Sequence, residues 1–125
     1  MKITRFEDIE AWKVARSLVG SAYGVTSSGP FSGDTALRKQ MIRCAASAMA
    51  NIAEGFDSGS DPEFIRFLRI AQRSATEFQS HLYIASDRGY LDSDSFESLY
   101  GVAASLKRLI GGFIRHLKRT RKGDA

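Results

Sequence analysis

The sequence predicts an all-α protein, an antiparallel up-down-up-down four-helix bundle, on three observations. Apolar residues recur at spacings of three and four in four long segments, and nowhere alternate with the period of two that a strand requires. The two prolines, Pro30 and Pro62, fall where one segment ends or another begins. The stretches between segments are short, which favours antiparallel neighbours. A chain of 125 residues fits one domain, and its 43% hydrophobic content supports a core without disulfides or metals as staples.

The first helix is expected at about residues 7–27. Thr4 and Glu7 have the spacing of a capping box, and Trp12, Ala15, Val19, Ala22, Tyr23 and Thr26 form its stripe. The run SSGPFSGD is the loop. The second helix, 34–54, starts from Asp34 as N-cap. Leu37, Met41, Cys44, Ala45, Ala48 and Ile52 form its apolar face, and Gly55 is its expected stop. The third, 62–88, has Asp61 as a cap and Pro62 at its first position, where the missing N–H costs nothing. Phe64, Phe67, Leu68, Ala71, Ala75, Phe78, Leu82 and Ala85 line it, and Arg88 and Gly89 close it. The fourth, 93–120, begins near Asp92 or Ser93 and has an apolar face broader than one seam, from Phe96 to Leu117. Within it Gly111 and Gly112 cost about 1 kcal/mol each against alanine, or serve a close helix contact. Residues 1–120 are thus one bundle, followed by a basic tail at 121–125.

Charge is unevenly distributed. Residues 1–97 carry 11 basic and 13 acidic side chains, whereas residues 98–125 carry 7 and 1. The whole net charge of +4 therefore resides in the last quarter of the chain, a pattern found where proteins meet nucleic acid or an anionic surface. The start of the chain carries Glu7, Asp8 and Glu10 where a signal peptide needs an apolar run. The longest charge-free stretch, between Arg16 and Asp34, is broken by Gly20, Gly24, Gly29 and Pro30 and does not suit a membrane span. The single cysteine, Cys44, excludes an internal disulfide and suits a reducing compartment. A cytoplasmic location is expected.

Three segments resemble a known family. FEDIEAWKVA resembles its opening through Phe6, Asp8, Ile9, Trp12 and Ala15. QMIRCAASAMANIAEGF resembles its core signature through Gln40, Arg43, Ala45, Ser47, Asn51, Ile52, Ala53, Glu54 and Gly55. EFIRFLRIAQRSATEFQSHL resembles its third helix through Phe67, Leu68, Ala71, Ser74 and Glu77. The family is that of the intervening-sequence proteins, also called four helix bundle proteins, some encoded within bacterial large-subunit ribosomal RNA genes. The first loop departs from the usual pattern: GPFSGD retains Pro30, and Asp34 is its nearest acid. The resemblance implies a left-turning bundle assembling into a ring, commonly a homopentamer. It also implies kinship with the accessory variability determinant of diversity-generating retroelements, which has the same form, a basic surface, and binds nucleic acid and a reverse transcriptase.

Two features are candidate sites. Gln40, Arg43, Ser47, Asn51 and Glu54 share one face of the second helix, beside its apolar stripe. Arg43 and Glu54 are about 16 Å apart along the axis and cannot pair with each other. Folding the third helix back on the second brings Arg43 level with Glu77, so an Arg43–Glu77 ion pair is expected in a structural polar network. Glu54, in a last turn where the helix dipole disfavours it, calls for a cation such as Arg66 or a loop amide. The second feature is the basic end: Lys107, Arg108, Arg115, His116, Lys118, Arg119, Arg121 and Lys122, with Arg69 and Arg73 on the third helix. Arg115, Lys118, Arg119, Arg121, Lys122, Arg69 and Arg73 are the candidate nucleic-acid contacts. The competing reading is local compensation by Glu7, Asp8, Glu10, Asp57, Asp61 and Glu63, which the topology places at the same end.

No catalytic residue, cofactor or metal ligand stands out. His81 and His116 lack ligand spacing, Cys44 and Ser47 have no histidine nearby in sequence, and no phosphate loop is present. Glu54 and Glu77 sit at different heights, which argues against paired-carboxylate catalysis. Trp12, Tyr23 and Phe67 are read as core. The sequence thus points to a non-enzymatic homo-oligomeric scaffold that binds RNA or DNA through a basic surface, without a membrane. The alternative is a module that docks a partner protein and makes no direct nucleic-acid contact.

Overall fold

The structure is a computed structural model that describes the backbone of residues 2–124 and the side chains of residues 2–120. Four α-helices follow in order: α1 (Glu10–Thr26), α2 (Thr35–Phe56), α3 (Asp61–Asp87) and α4 (Ser93–Asp124). Two short 3-10 turns, Phe6–Asp8 and Gly29–Gly33, precede α1 and α2. Among the described residues there is no strand. The largest interface is α2 on α3, followed by α3 on α4, α1 on α2, and α1 on α4. Each helix therefore packs on two neighbours, as in the expected four-helix bundle. No helix among the described residues is long and apolar enough to cross a membrane.

Helix starts follow side-chain chemistry, with two corrections. The Thr4–Glu7 capping box does not form. The chain instead makes a 3-10 turn, and the α1 N-cap is Ile9, with no side-chain cap. That turn buries Ile9 and sets Phe6 edge-on to Trp12 at 5.2 Å, so apolar contact determines how the chain enters α1. In α3 the cap is Ser60, whose Oγ accepts from the Glu63 amide at 3.3 Å; Asp61 and Pro62 are the first two helical residues. Asp34 caps α2 as expected, accepting from the Leu37 amide at 3.1 Å. Asp92 does the same for α4, accepting from the Ser95 amide at 2.7 Å. This amide holds the Asp92 carboxyl below its usual range.

One end of the bundle is closed by an arrangement that the loop sequence does not advertise. Phe31, within the first loop, is fully buried and stacks on Tyr90 at 4.8 Å. The Tyr90 hydroxyl donates to Asp34 at 3.0 Å. Asp34 thus caps α2 with one carboxylate oxygen and receives the α3–α4 loop with the other. Gly89 makes that loop possible: at φ 76° it ends α3, while the Tyr90 amide returns to the Ala85 carbonyl at 2.9 Å.

Gly55 has a different role from the expected helix stop. It is buried inside α2, which continues to Phe56. A Cβ there would lie 2.8 Å from Phe64 Cδ1 and 2.8 Å from Phe67 Cβ, so glycine is what lets α2 approach α3. Gly111 does not impose a comparable approach, since a Cβ there would be 3.4 Å from Gln72 Nε2, an ordinary contact. The core is otherwise the predicted stripes, with Trp12 buried and Phe67 half-buried. Tyr23 departs from expectation: it is 52% exposed, on the solvent edge of the α1 stripe.

Two stability outcomes follow. Gly55→Ala should lower stability by about 1–2 kcal/mol, because overpacking outweighs the gain in helix propensity. Gly101→Ala, at an exposed α4 position with nothing within 4 Å, should raise it by up to about 1 kcal/mol. Chemical denaturation of the two variants checks the contrast. Asp34→Ala, which removes both the α2 cap and the Tyr90 contact, should cost about 1–2 kcal/mol in the same assay.

Candidate functional site

The polar face of α2 meets α3 along a seam whose register is set by antiparallel packing. Ser47 Oγ and Ser74 Oγ are 2.9 Å apart across it. Asn51 Nδ2 donates to the Ser47 carbonyl at 2.8 Å and lies 3.2 Å from its hydroxyl. Ser47, Ser74 and Asn51 form a connected group that bridges the two helices, and Ser74 is buried. Gln40 and Arg43 lie on the same face of α2 but bond only to each other, Arg43 donating to Gln40 Oε1 at 2.6 Å.

The expected Arg43–Glu77 ion pair is not made. Arg43 is exposed and turns back along its own helix, while Glu77 lies 3.7 Å from His81 Nε2. The height assigned to Glu77 is sound, but the residue that faces it is Cys44, one position and about 100° further round the helix. Glu54 also lacks the expected partner. It is exposed, and Arg66 pairs with Glu63 at 3.0 Å while its guanidinium lies over Phe67 at 4.6 Å. Water therefore solvates Glu54 at the helix end.

Cys44 acquires neighbours that its sequence position does not announce. Its sulfur, the Glu77 carboxylate and a His81 ring nitrogen all lie within 4.8 Å of one another. The thiol is pushed up to about 12, first by burial and then by the charge and hydrogen bond of Glu77, with Arg43 opposing. At neutral pH it is a protonated thiol, which is the wrong state for a nucleophile. The spacing that pairs Glu77 with His81, one helical turn, is visible in the sequence. The approach of Cys44 depends on the helix pairing.

The candidate nucleic-acid contacts lie on the outside of the bundle. Arg115, Lys118 and Arg119 are exposed on α4 at helical spacing, and Arg69 and Arg73 are exposed on α3. The side chains of Arg121 and Lys122 lie outside the described residues, although α4 continues past both to Asp124. Between α3 and α4 runs an open groove lined by Gln72, Gln79, Tyr100, Lys107, Arg108 and Arg115. Lys107 Nζ donates to Gln79 Oε1 at 3.0 Å, and Gln72 reaches the Lys107 carbonyl at 3.3 Å. Lys107 is therefore tied to neutral partners with its charge uncompensated. The glutamines were not among the expected site residues; their spacing of seven along α3 is the signal that places both on this groove.

Among the described residues, direct pairing does not compensate the α4 cations, and of the six acids expected to do so Asp57 and Asp61 form no ion pair. Glu7 and Asp8 contact Arg5, Glu10 contacts Lys13, and Glu63 contacts Arg66. Among the described residues no α4 cation forms an ion pair. The end of α4 does lie where the topology places it, with His116 and Leu117 sharing a groove with Lys2, Gly59 and Asp61.

Comparison with known proteins agrees with this architecture. No curated protein matches the chain. A solved structure of a protein of unknown function, from the S23 ribosomal protein family of Bacteroides thetaiotaomicron, superposes with a TM-score of 0.78 at 21% identity. The match covers 84% of this chain and 95% of that one, and establishes a common fold. The model of the family described as 23S rRNA-intervening sequence protein matches residues 7–112, which spans α1, α2, α3 and more than half of α4. The chain belongs to the 23S rRNA-intervening sequence protein family.

Proposed function

We propose that this protein is a non-enzymatic, self-associating scaffold that binds RNA or DNA through the basic surface of α3 and α4. The observation that carries the reading is the row of exposed cations Arg115, Lys118 and Arg119, none ion-paired among the described residues, while Glu7, Asp8, Glu10 and Glu63 pair within their own segments. Phosphates are the natural partners of such a row. Each contact releases counterions and contributes affinity without reading sequence. Arg69 and Arg73 extend the surface on α3, and Arg121 and Lys122 continue the run along α4.

Self-association is supported by a second surface. Tyr83 and Ile84 are 54% and 45% exposed. The Tyr83 ring meets those of Phe96 and Tyr100 at 5.0 and 6.1 Å, forming an aromatic cluster on the outer side of α3 and α4. Apolar clusters of this kind on a small domain favour burial against another copy or a partner. A ring, of five copies in the form the family resemblance implies, would repeat the basic row around its circumference and multiply a weak contact. The non-enzymatic reading is supported by placement: Glu54, in the last turn of α2, and Glu77, level with Cys44 on α3, do not converge on a shared site.

Fluorescence anisotropy with a structured RNA and a duplex DNA across a salt series tests the reading. Binding should weaken steeply as salt rises. The Arg115→Gln, Lys118→Gln, Arg119→Gln triple variant should flatten the log–log slope by about 0.9 for each duplex phosphate that it no longer neutralises. The triple variant should retain its helical circular dichroism. Absent or salt-insensitive binding would reject the nucleic-acid reading and favour docking of a partner protein on the aromatic cluster.

A further inference from the structure

We propose that Cys44 of α2, with Glu77 and His81 of α3, forms a site for one thiophilic divalent cation of the zinc type. This site is separate from the basic surface and does not depend on the nucleic-acid reading. The first argument is the donor set. One sulfur, one imidazole nitrogen and one carboxylate suit Zn²⁺ and its near neighbours, whereas Mg²⁺ and Ca²⁺ take all-oxygen sites. The three donors lie within 4.8 Å of one another. A tetrahedral ion with bonds of roughly 2.0–2.3 Å needs donors about 3.3–3.7 Å apart, so closure of about 1 Å suffices. Side-chain rotation supplies that much without moving either helix.

The second argument is the state of His81. Neither ring nitrogen has a hydrogen-bond partner, although both are shielded from solvent. Its 3.7 Å approach to Glu77 is too long for a hydrogen bond. Buried nitrogens without partners are rare in folded proteins and call for an explanation. A cation accepting one lone pair gives that nitrogen a partner and draws the Glu77 carboxylate in beside it.

The third argument is rigidity and access. Glu77 and His81 are one turn apart on α3, so both present donors to one side. Cys44 faces them from α2, and the Ser47–Ser74 contact pins the two helices one turn away. The Cys44 side forms a buried floor, and Glu77, with a 53% exposed side chain, forms the mouth, which leaves a coordination position open to water. Arg43, the residue that could have neutralised Glu77, is held by Gln40. On binding, the sulfur–hydrogen bond breaks, a sulfur–metal bond forms, and the proton leaves to solvent; nothing is oxidised or reduced.

Titration of the untagged full chain with Co²⁺, followed by competition with Zn²⁺, tests the site. The expected result is one equivalent bound, with a thiolate-to-cobalt charge-transfer band and the visible bands of a four-coordinate ion, both removed by Zn²⁺. Cys44→Ala should abolish the charge-transfer band, and His81→Gln should weaken binding at least about tenfold. His116→Gln, at the far end of α4, should bind as the parent does. Circular dichroism establishes that each variant is folded, and a Zn²⁺-dependent rise in melting temperature, absent from Cys44→Ala, gives a second readout. A folded parent that shows no charge-transfer band, or a folded His81→Gln with parental affinity, would overturn the proposal.

Discussion

The close approach of α2 to α3 is the constraint on which the rest of the molecule depends. It rests on small side chains. Gly55 leaves no room for even a methyl group against Phe64 and Phe67, and Ala45, Ala48, Ala71 and Ala75 are fully buried. Helices that approach this closely have little freedom to slide, because each side chain is seated among fixed neighbours. The Ser47–Ser74 contact then selects one register. The same register brings Cys44 opposite Glu77, three residues away on each helix in the antiparallel sense. A hydroxyl pair contributes little net stability, but leaving one hydroxyl buried without the other is costly, so it discriminates well between registers.

From that seam the other features take their positions. α1 and α4 complete the bundle on apolar stripes, and the Phe31–Tyr90–Asp34 cluster ties the two loops at one end. At the opposite end, acidic and basic residues near the chain start and the α2–α3 turn pair among themselves. Surface pairs of this kind add little stability. Their consequence is distributive: Arg5, Lys13 and Arg66 take up Glu7, Asp8, Glu10 and Glu63, which among the described residues leaves Asp57 and Asp61 as the acids without an ion pair at this end. The basic row and the thiol–imidazole–carboxylate group thus occupy different parts of the molecule, one on its exterior and one within its tightest seam.

The fold was legible because four apolar stripes, two prolines and the caps Asp34 and Asp92 act locally. Helix limits followed to within about three residues, except at the end of α4, which reaches Asp124 rather than 120. What escaped depends on partners distant in sequence. Gly55 resembles a helix stop until Phe64 and Phe67 are placed against it. Phe31 belongs to a run of loop residues until Tyr90 stacks on it. Arg43 and Cys44 are adjacent, and choosing which of them faces Glu77 requires the azimuth of α2, which amphipathicity defines only broadly. The exposed cations were legible as a charge imbalance, but their freedom from ion pairs required the positions of the competing acids.

The claim that the α2–α3 seam holds the structure together is tested most directly by native-state hydrogen exchange. Amides of residues 44–55 and 67–78 should exchange only through global unfolding, with the highest protection in the protein, while the last turns of α4 exchange through local fraying. Exchange of the seam amides through a sub-global opening, at lower free energy than the amides of α1, would contradict the account.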